Sequence, residues 1–216
     1  MPIFVIEDEN TFPPVHLAEP DGLLAIGGDL SPQRLLEAYK KGIFPWYEGE
    51  YILWWSPDPR CILYPTELKI SHSMKQMLRK QVFRFSVDEA FEKVIHECRT
   101  TKRKDQHGTW ITTPVEKAYN KMHQLGYAHS AEAWKGDELA GGLYGIRIGK
   151  VFFGESMFSK ISNASKFAFI NLVQQLKEDG VELIDCQVYT PHLESMGAKM
   201  ISREEFIKTL NTMLDP

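Results

Sequence analysis

Residues 128–154 have the pattern of three consecutive β-strands, and this pattern restricts the possible folds strongly. Two runs of alternating or apolar residues are separated by a Lys135-Gly136-Asp137 turn, and a second turn at Gly149 precedes the apolar run Val151-Phe152-Phe153. Short turns that contain glycine join neighbouring antiparallel strands. The pattern therefore predicts a β-meander, which places these residues in a largely antiparallel sheet.

Helical patterns lie on both sides of this meander. Amphipathic helices are predicted before it, and a helix, a strand over residues 181–188 and a last helix are predicted after it. The predicted fold class is α+β, with helices flanking a largely antiparallel sheet. Because the apolar run that ends at Tyr64 meets Pro65, we predict a small N-terminal α+β domain over residues 1–62 and a larger domain over residues 63–216.

Composition and cysteine usage exclude several classes of protein. With 216 residues and 43% hydrophobic side chains, the chain can bury a full core, and disorder is excluded. Its apolar runs are too short to span a membrane, and its first residues lack the pattern of a signal peptide. The three cysteines have no paired spacing. We therefore predict a reduced, cytoplasmic protein that does not bind membranes and has no metal site.

Positive charge is concentrated in one segment of an otherwise acidic chain. The chain has a net charge of −4, yet residues 69–104 contain ten Lys or Arg and only four Asp or Glu, and residues 1–30 contain no Lys or Arg. Such a concentration is typical of a protein that binds a polyphosphate partner such as RNA. The alternative is a solvated helical face with no ligand.

Two polar residues interrupt the predicted strand over residues 181–188. Asp185 and Gln187 are two positions apart, so in a regular strand their side chains point to the same face of the sheet. A buried carboxylate and carboxamide cost free energy unless they are hydrogen bonded. They are either a structural hydrogen-bonded pair or part of a site. Glu155 follows the apolar run 151–153 directly, and it is either a site carboxylate or an ordinary turn residue.

Six segments of the chain, taken together and in this order, resemble one family. They are Gly27-Gly28-Asp29-Leu30-Ser31-Pro32, Gly42-Ile43-Phe44-Pro45-Trp46, Trp54-Trp55-Ser56-Pro57-Asp58-Pro59-Arg60, His107-Gly108-Thr109-Trp110-Ile111, Gly154-Glu155-Ser156-Met157-Phe158-Ser159 and Ile184-Asp185-Cys186-Gln187. The chain resembles the leucyl/phenylalanyl-tRNA–protein transferases from about residue 12 to its last helix.

The resemblance implies an activity and its partners. It implies transfer of Leu or Phe, and less readily Met, from aminoacyl-tRNA to the α-amine of proteins that begin with Arg or Lys, which marks them for N-degron (N-end rule) degradation. It implies no cofactor, and we expect a monomer. It also implies that the larger domain is GNAT-like, similar to acetyltransferases and to peptidoglycan-branching aminoacyl transferases.

The resemblance also implies roles for individual residues. Gln187 would accept a hydrogen bond from the attacking amine, Asp185 would polarise the Gln187 amide through its NH₂ group, and Glu155 would anchor the substrate. The aminoacyl side-chain pocket would be lined by Trp46, Trp110, Tyr119, Leu143 and Leu172. Leu143 stands where relatives often have Met. The tRNA would be bound by Lys75, Arg79, Lys80 and Arg84.

Two other functions fit parts of the sequence. An acyl-CoA N-acetyltransferase is suggested by the fold alone, but the loop before the helix at residues 164–178 contains no glycine for a phosphate-binding turn. A non-catalytic RNA-binding module would use the basic segment, but it leaves the polar pair of Asp185 and Gln187 unexplained. A CoA-free transfer assay separates these alternatives from the transferase.

Overall fold

A computed structural model describes residues 3–7, 11–101 and 110–214. These residues form two sheets and a set of helices packed around them. The strands are β1 (Phe4–Ile6), β2 (Leu23–Gly27), β3 (Phe44–Pro45), β4 (Leu53–Trp55), β5 (Arg60–Leu63), β6 (Arg84–Val87), β7 (Ala128–Lys135), β8 (Glu138–Ile148), β9 (Val151–Ser159), β10 (Leu183–Gln187) and β11 (Lys199–Ile201).

The helices occupy the connections between these strands. They are α1 (Pro32–Lys40), α2 (His72–Arg79), α3 (Phe91–Thr100), α4 (Thr113–Gln124), α5 (Ala164–Glu178), α6 (Pro191–Glu194) and α7 (Arg203–Leu214), with short 3₁₀ turns at Val15–Leu17 and Pro65–Glu67. Local sequence explains where several of them begin. For example, the Ser31 side chain accepts a hydrogen bond from the Arg34 N–H, and Pro32 occupies the first position of α1.

The larger sheet confirms the predicted meander. Its strand order is β11-β5-β10-β9-β8-β7-β6, and the smaller sheet has the order β1-β2-β4-β3. Most neighbouring strands are antiparallel, and the exceptions are the parallel pairs β1–β2 and β9–β10. The mixed fold with mostly antiparallel sheets is therefore as predicted.

The larger sheet has a hydrophobic core on each face. Helices α3 and α4 cover one face, where Tyr119 and Tyr144 are buried, and α5 covers the other, where Leu143 and Leu172 are buried. Adjacent residues of β8 therefore point into different cores. The 15-residue α5 is the longest helix, and none of the helices among the described residues has the length and apolar content to cross a bilayer.

The predicted division of the chain at residues 62 and 63 falls inside β5, a strand of the larger sheet. Buried residues from both sides of the division also pack in one core, where Tyr39 of α1 lies with its ring 5.1 Å from that of Phe153 of β9. The two-domain organisation stays a prediction. The segment between β4 and β5 connects the smaller sheet to the larger sheet.

The feature that positions the site is a separation of two parallel strands. β10 pairs with β9 only from Leu183 to Asp185, opposite Val151 to Phe153, while β9 continues to Ser159. Beyond these pairs the two strands diverge, which opens a cleft inside the sheet. Side chains that follow Phe153 and Asp185 can therefore face a ligand from both sides of this cleft.

Candidate active site

A β-bulge lies at the start of the cleft on each of the two diverging strands. On β9 the register with β8 shifts so that Glu155 has no partner residue, and on β10 the register with β5 shifts at Cys186. A bulge re-aims the side chains beside it. Gln187, which follows the second bulge, has a φ of 62°, a left-handed conformation that is costly for a non-glycine residue. The bulges explain why the regular same-face spacing predicted for Asp185 and Gln187 is lost.

Asp185 forms a buried ion pair with a residue 125 positions earlier. Its carboxylate accepts two hydrogen bonds from Arg60, at 2.8 Å from Nε and 2.6 Å from Nη2, and both side chains are at most 1% exposed. Asp185 Oδ1 also accepts the backbone N–H of Gln187 at 2.9 Å. The carboxylate is thus fully engaged, and it fixes the backbone of the residue that follows the bulge.

The side-chain amide of Gln187 is hydrogen bonded to Glu155 and not to Asp185. Its Nε2 donates to Glu155 Oε1 at 2.8 Å, which corrects the prediction that Asp185 polarises this NH₂ group. With its NH₂ group directed at Glu155, the amide presents its carbonyl oxygen as an acceptor. Asp185 reaches Gln187 only through the backbone, because its two oxygens are turned to Arg60 and to the Gln187 N–H.

Glu155 is the end of a chain of buried hydroxyl groups. Tyr119 donates to Glu155 Oε2 at 3.0 Å, and the hydroxyl of Tyr119 is in turn hydrogen bonded to that of Tyr39. Burial raises the pKa of Glu155 to about 7, and the nearby Asp185 charge acts in the same direction. At neutral pH the carboxyl is therefore poised between its two protonation states, which suits a group that exchanges a proton.

A cavity of about 390 Å³ lies at the cleft and reaches both faces of the sheet. Glu155 and Gln187 line it together with the predicted pocket residues Trp46, Trp110 and Leu143. Its other apolar walls include Phe44, Tyr144 and Met157. An apolar cavity with a few convergent polar groups is the usual form of a small-molecule site.

Three of the predicted catalytic and pocket residues do not line this cavity. Asp185 is fully buried behind it, and Tyr119 is buried with its hydroxyl on Glu155. Leu172 lies on α5, in the same apolar core as Leu143. Both Asp185 and Tyr119 therefore act on the cavity only through a neighbour.

The predicted basic residues lie at the surface around α2. Lys75, Arg79 and Lys80 are exposed, and the described part of the chain pairs none of them with a carboxylate. Arg84 differs, since it forms a two-point ion pair with Glu89 at 2.6 and 2.9 Å and lies over the Trp134 ring. The basic residues Lys102, Arg103 and Lys104, and the motif residues 107–109, lie outside the described residues.

Two further residues support the site. Arg60 was quoted only as part of a motif, although a buried Asp185 requires a cationic or hydrogen-bonding partner and so provides a signal for it. The second residue is Tyr39 of α1. Nothing in its local sequence indicates a hydrogen bond to Tyr119, which lies 80 positions later. Among the described residues, no group of three or more metal-ligating side chains is placed to hold an ion.

Comparisons with known proteins agree on one family. The family model "Leucyl/phenylalanyl-tRNA protein transferase" matches residues 62–211, and the model of that family's N-terminal domain matches residues 28–58. The leucyl/phenylalanyl-tRNA–protein transferase of Christiangramia forsetii is 56% identical over 96% of this chain and 100% of its own length. That of Syntrophobacter fumaroxidans is 55% identical over 97% of this chain and 90% of its own.

A solved structure gives a much weaker likeness. The structure of L-PGS from Bacillus licheniformis aligns with a TM-score of 0.42 and 14% identity, over 80% of this chain and 57% of that chain. A likeness of this size informs neither the fold nor the site.

Proposed function

The chain belongs to the leucyl/phenylalanyl-tRNA–protein transferase family, and we propose that Glu155 and Gln187 are the groups that receive the attacking amine in this reaction. The chain is an aminoacyltransferase that moves Leu or Phe from charged tRNA to a protein. The observation that supports the proposal is the hydrogen bond of 2.8 Å from Gln187 Nε2 to Glu155 Oε1, at the cavity wall.

The chemistry of the reaction makes modest demands on the protein. The aminoacyl ester is already activated, and about a tenth of an α-amine is neutral at pH 7. The amine nitrogen attacks the ester carbonyl carbon, the bond to the ribose oxygen breaks, and the amine loses a proton. The protein must hold the two reactants at attack distance and accept that proton. No covalent nucleophile is needed.

The polar groups of the cavity fit these demands. Gln187 presents its carbonyl oxygen to a hydrogen of the amine, because its NH₂ group is directed at Glu155. Glu155, with a pKa of about 7, can take up the proton that the amine loses and pass it on to the leaving oxygen. Asp185 and Arg60 are positioning residues, since they fix the Gln187 backbone and do not line the cavity.

We propose that the apolar part of the cavity receives the donor. Leu143 and Met157 would contact the donor side chain on the α5 face, with Leu172 supporting Leu143 from behind, and Trp46 and Trp110 would contact the end of the tRNA. The slot suits an unbranched Cβ such as that of Leu, Phe or Met. Tyr119 acts on the donor only through Glu155.

The remaining features of the reaction are proposals supported by the family resemblance. Acceptors begin with Arg or Lys, the product enters N-degron degradation, and the protein acts in the cytoplasm as a monomer without a cofactor. The larger part of the chain is a GNAT-like domain. A direct test is to mix labelled Leu-tRNA, the protein and peptides that differ only in their first residue, without CoA. Product with Arg and Lys peptides supports the proposal, and equal product with an Ala peptide contradicts the acceptor preference.

Replacing Lys75, Arg79 and Lys80 by glutamine in one variant should weaken the binding of charged tRNA. It should also reduce the salt dependence of this binding. Phosphate contacts release counterions, so loss of three should make the slope of log affinity against log salt shallower by roughly two to three units. The measurement is tRNA affinity at several salt concentrations. A control replaces Lys177 and Lys208, which are exposed on α5 and α7. An unchanged slope in the triple variant would remove this surface from the tRNA interface.

Glu155→Gln should remove a pH-dependent loss of stability. Burial raises the pKa of Glu155 from 4.5 to about 7, so the folded protein binds this proton more tightly than the unfolded chain does. The stabilising contribution is full below about pH 4.5 and is lost as pH rises through about 7. From about pH 5 to pH 8 the wild type should lose roughly 2 kcal/mol relative to the variant, measured by urea unfolding. Parallel pH profiles for the two proteins would contradict the raised pKa.

A further inference from the structure

Two cysteines lie beside the catalytic bulge on neighbouring strands. Cys61 of β5 stands opposite Gln187 in the strand register, and Cys186 is the bulged residue between Asp185 and Gln187. Cys61 is 1% exposed, whereas Cys186 is half-buried and lines the cavity. Both side chains pack in the hydrophobic core on the α5 face of the sheet, and both cysteines are free. A small reagent that enters the cavity therefore meets the Cys186 thiol next to Gln187, with Cys61 opposite this bulge on β5.

We propose that Cys61 and Cys186 form an oxidation site, at which a peroxide joins the two thiols in a disulfide and thereby stops aminoacyl transfer. The inhibitory part rests on the proposed role of Gln187. Formation of the disulfide rests only on the placement of the two thiols.

The placement of the two thiols assigns them different steps. Cys186 lines the cavity, whereas Cys61 is only 1% exposed and does not line it. Because oxidation requires access to the reagent, Cys186 is the group that attacks the peroxide and Cys61 is the group that attacks second. The interaction with Cys186, and then the Arg60 charge, lower the pKa of Cys61, which favours its thiolate in the second step.

The proposed reaction proceeds in two steps that balance. Cys186 Sγ attacks one peroxide oxygen, the O–O bond breaks, and the other oxygen leaves as water with the thiol proton, which gives a sulfenic acid. Cys61 Sγ then attacks Cys186 Sγ, the S–O bond breaks, and the hydroxyl group leaves as water with the Cys61 proton. Two thiols and one hydrogen peroxide give one disulfide and two waters. The sulfurs are oxidised and the peroxide oxygens are reduced.

The location of Cys186 explains why oxidation would stop the reaction. A disulfide brings its two sulfurs to about 2.05 Å, closer than two free thiols can lie, so Cys186 must move towards β5 and away from the cavity. Asp185, on one side of Cys186, is held by Arg60, and Gln187, on the other side, is bonded to Glu155. The displacement falls on Gln187, and a shift of about 1 Å in a reacting group can cost about 10²-fold in rate.

The test uses the full chain, reduced and then treated with hydrogen peroxide. We expect peptide mapping by mass spectrometry to find a Cys61–Cys186 disulfide, and transfer to fall by about tenfold or more and to recover with dithiothreitol. Cys61→Ser should keep its basal activity and resist the peroxide. The matched control is Cys98→Ser, whose residue lies in α3 within the other core, and it should remain as sensitive as the wild type.

Several outcomes would overturn the proposal. They are treated wild type without this disulfide, a disulfide that leaves transfer unchanged, and a Cys61→Ser variant that is inhibited as strongly as the wild type. If Cys61→Ser does not fold, the mapping and the recovery of the wild type decide the question. Failure of the reduced protein to transfer at all would instead contradict the proposed function, so the two failures are distinguishable.

Discussion

Gln187→Ala is expected to lower the rate of aminoacyl transfer by about 10²-fold or more, while the affinity for charged tRNA stays nearly unchanged. The substitution removes the carbonyl oxygen that receives the amine and the NH₂ group that bonds to Glu155. It leaves the basic surface around α2 and the apolar cavity walls intact. Single-turnover rates and tRNA affinity, measured on the same preparation, separate the two effects.

Gln187→Met is the matched control for this experiment. Methionine has nearly the volume of glutamine, and it has no amide. If the amide acts in the reaction, the methionine variant should be as slow as the alanine variant. Recovery of most of the wild-type rate by methionine would mean that Gln187 only fills space. Turnover of the alanine variant at the wild-type rate would remove Gln187 from the mechanism.

Asp185→Ala is expected to reduce the free energy of unfolding by about 3–5 kcal/mol. The change leaves the Arg60 guanidinium buried without its carboxylate, and Arg60 is only 1% exposed. It also deprives the Gln187 N–H of its acceptor. Urea denaturation gives the loss, and the variant should also transfer more slowly, because the Gln187 backbone is no longer fixed.

A double variant separates the stability of this ion pair from its role in positioning. Replacing a buried ion pair by apolar residues of similar size is often neutral or stabilising, so Arg60→Met with Asp185→Leu should recover most of the lost stability. Transfer should remain at least about tenfold slower, since the Gln187 N–H still lacks its acceptor. A double variant with both stability and transfer restored would show that Asp185 has no positioning role.

The pattern of apolar residues and turns in the sequence is sufficient to predict most of the larger sheet. The turns at Gly136 and Gly149 define the meander, and apolar content identified β10. The contribution of β5 to this sheet was not predicted, because only its partners β10 and β11, which lie more than a hundred residues later, determine its pairing. The parallel pairing of β9 with β10 was missed for the same reason.

The sequence predicts which residues belong to the candidate site better than it predicts their hydrogen-bond partners. Asp185 and Gln187 stood out because polar side chains in a buried strand need partners. Their actual partners, Arg60 and Glu155, follow from two bulges and from a left-handed residue at Gln187, none of which leaves a signature such as glycine. The expected bond between Asp185 and the Gln187 amide was wrong because a regular strand was assumed.

The guanidinium of Arg60 lies between the rings of Phe44 and Phe206, at 4.7 Å from each ring centre. Phe44 belongs to β3, whereas Phe206 belongs to α7, the last helix. The packing around Arg60, which anchors β10 through Asp185, is therefore complete only when β3 and α7 are both in place. During synthesis on the ribosome, this packing can form only after α7 has emerged.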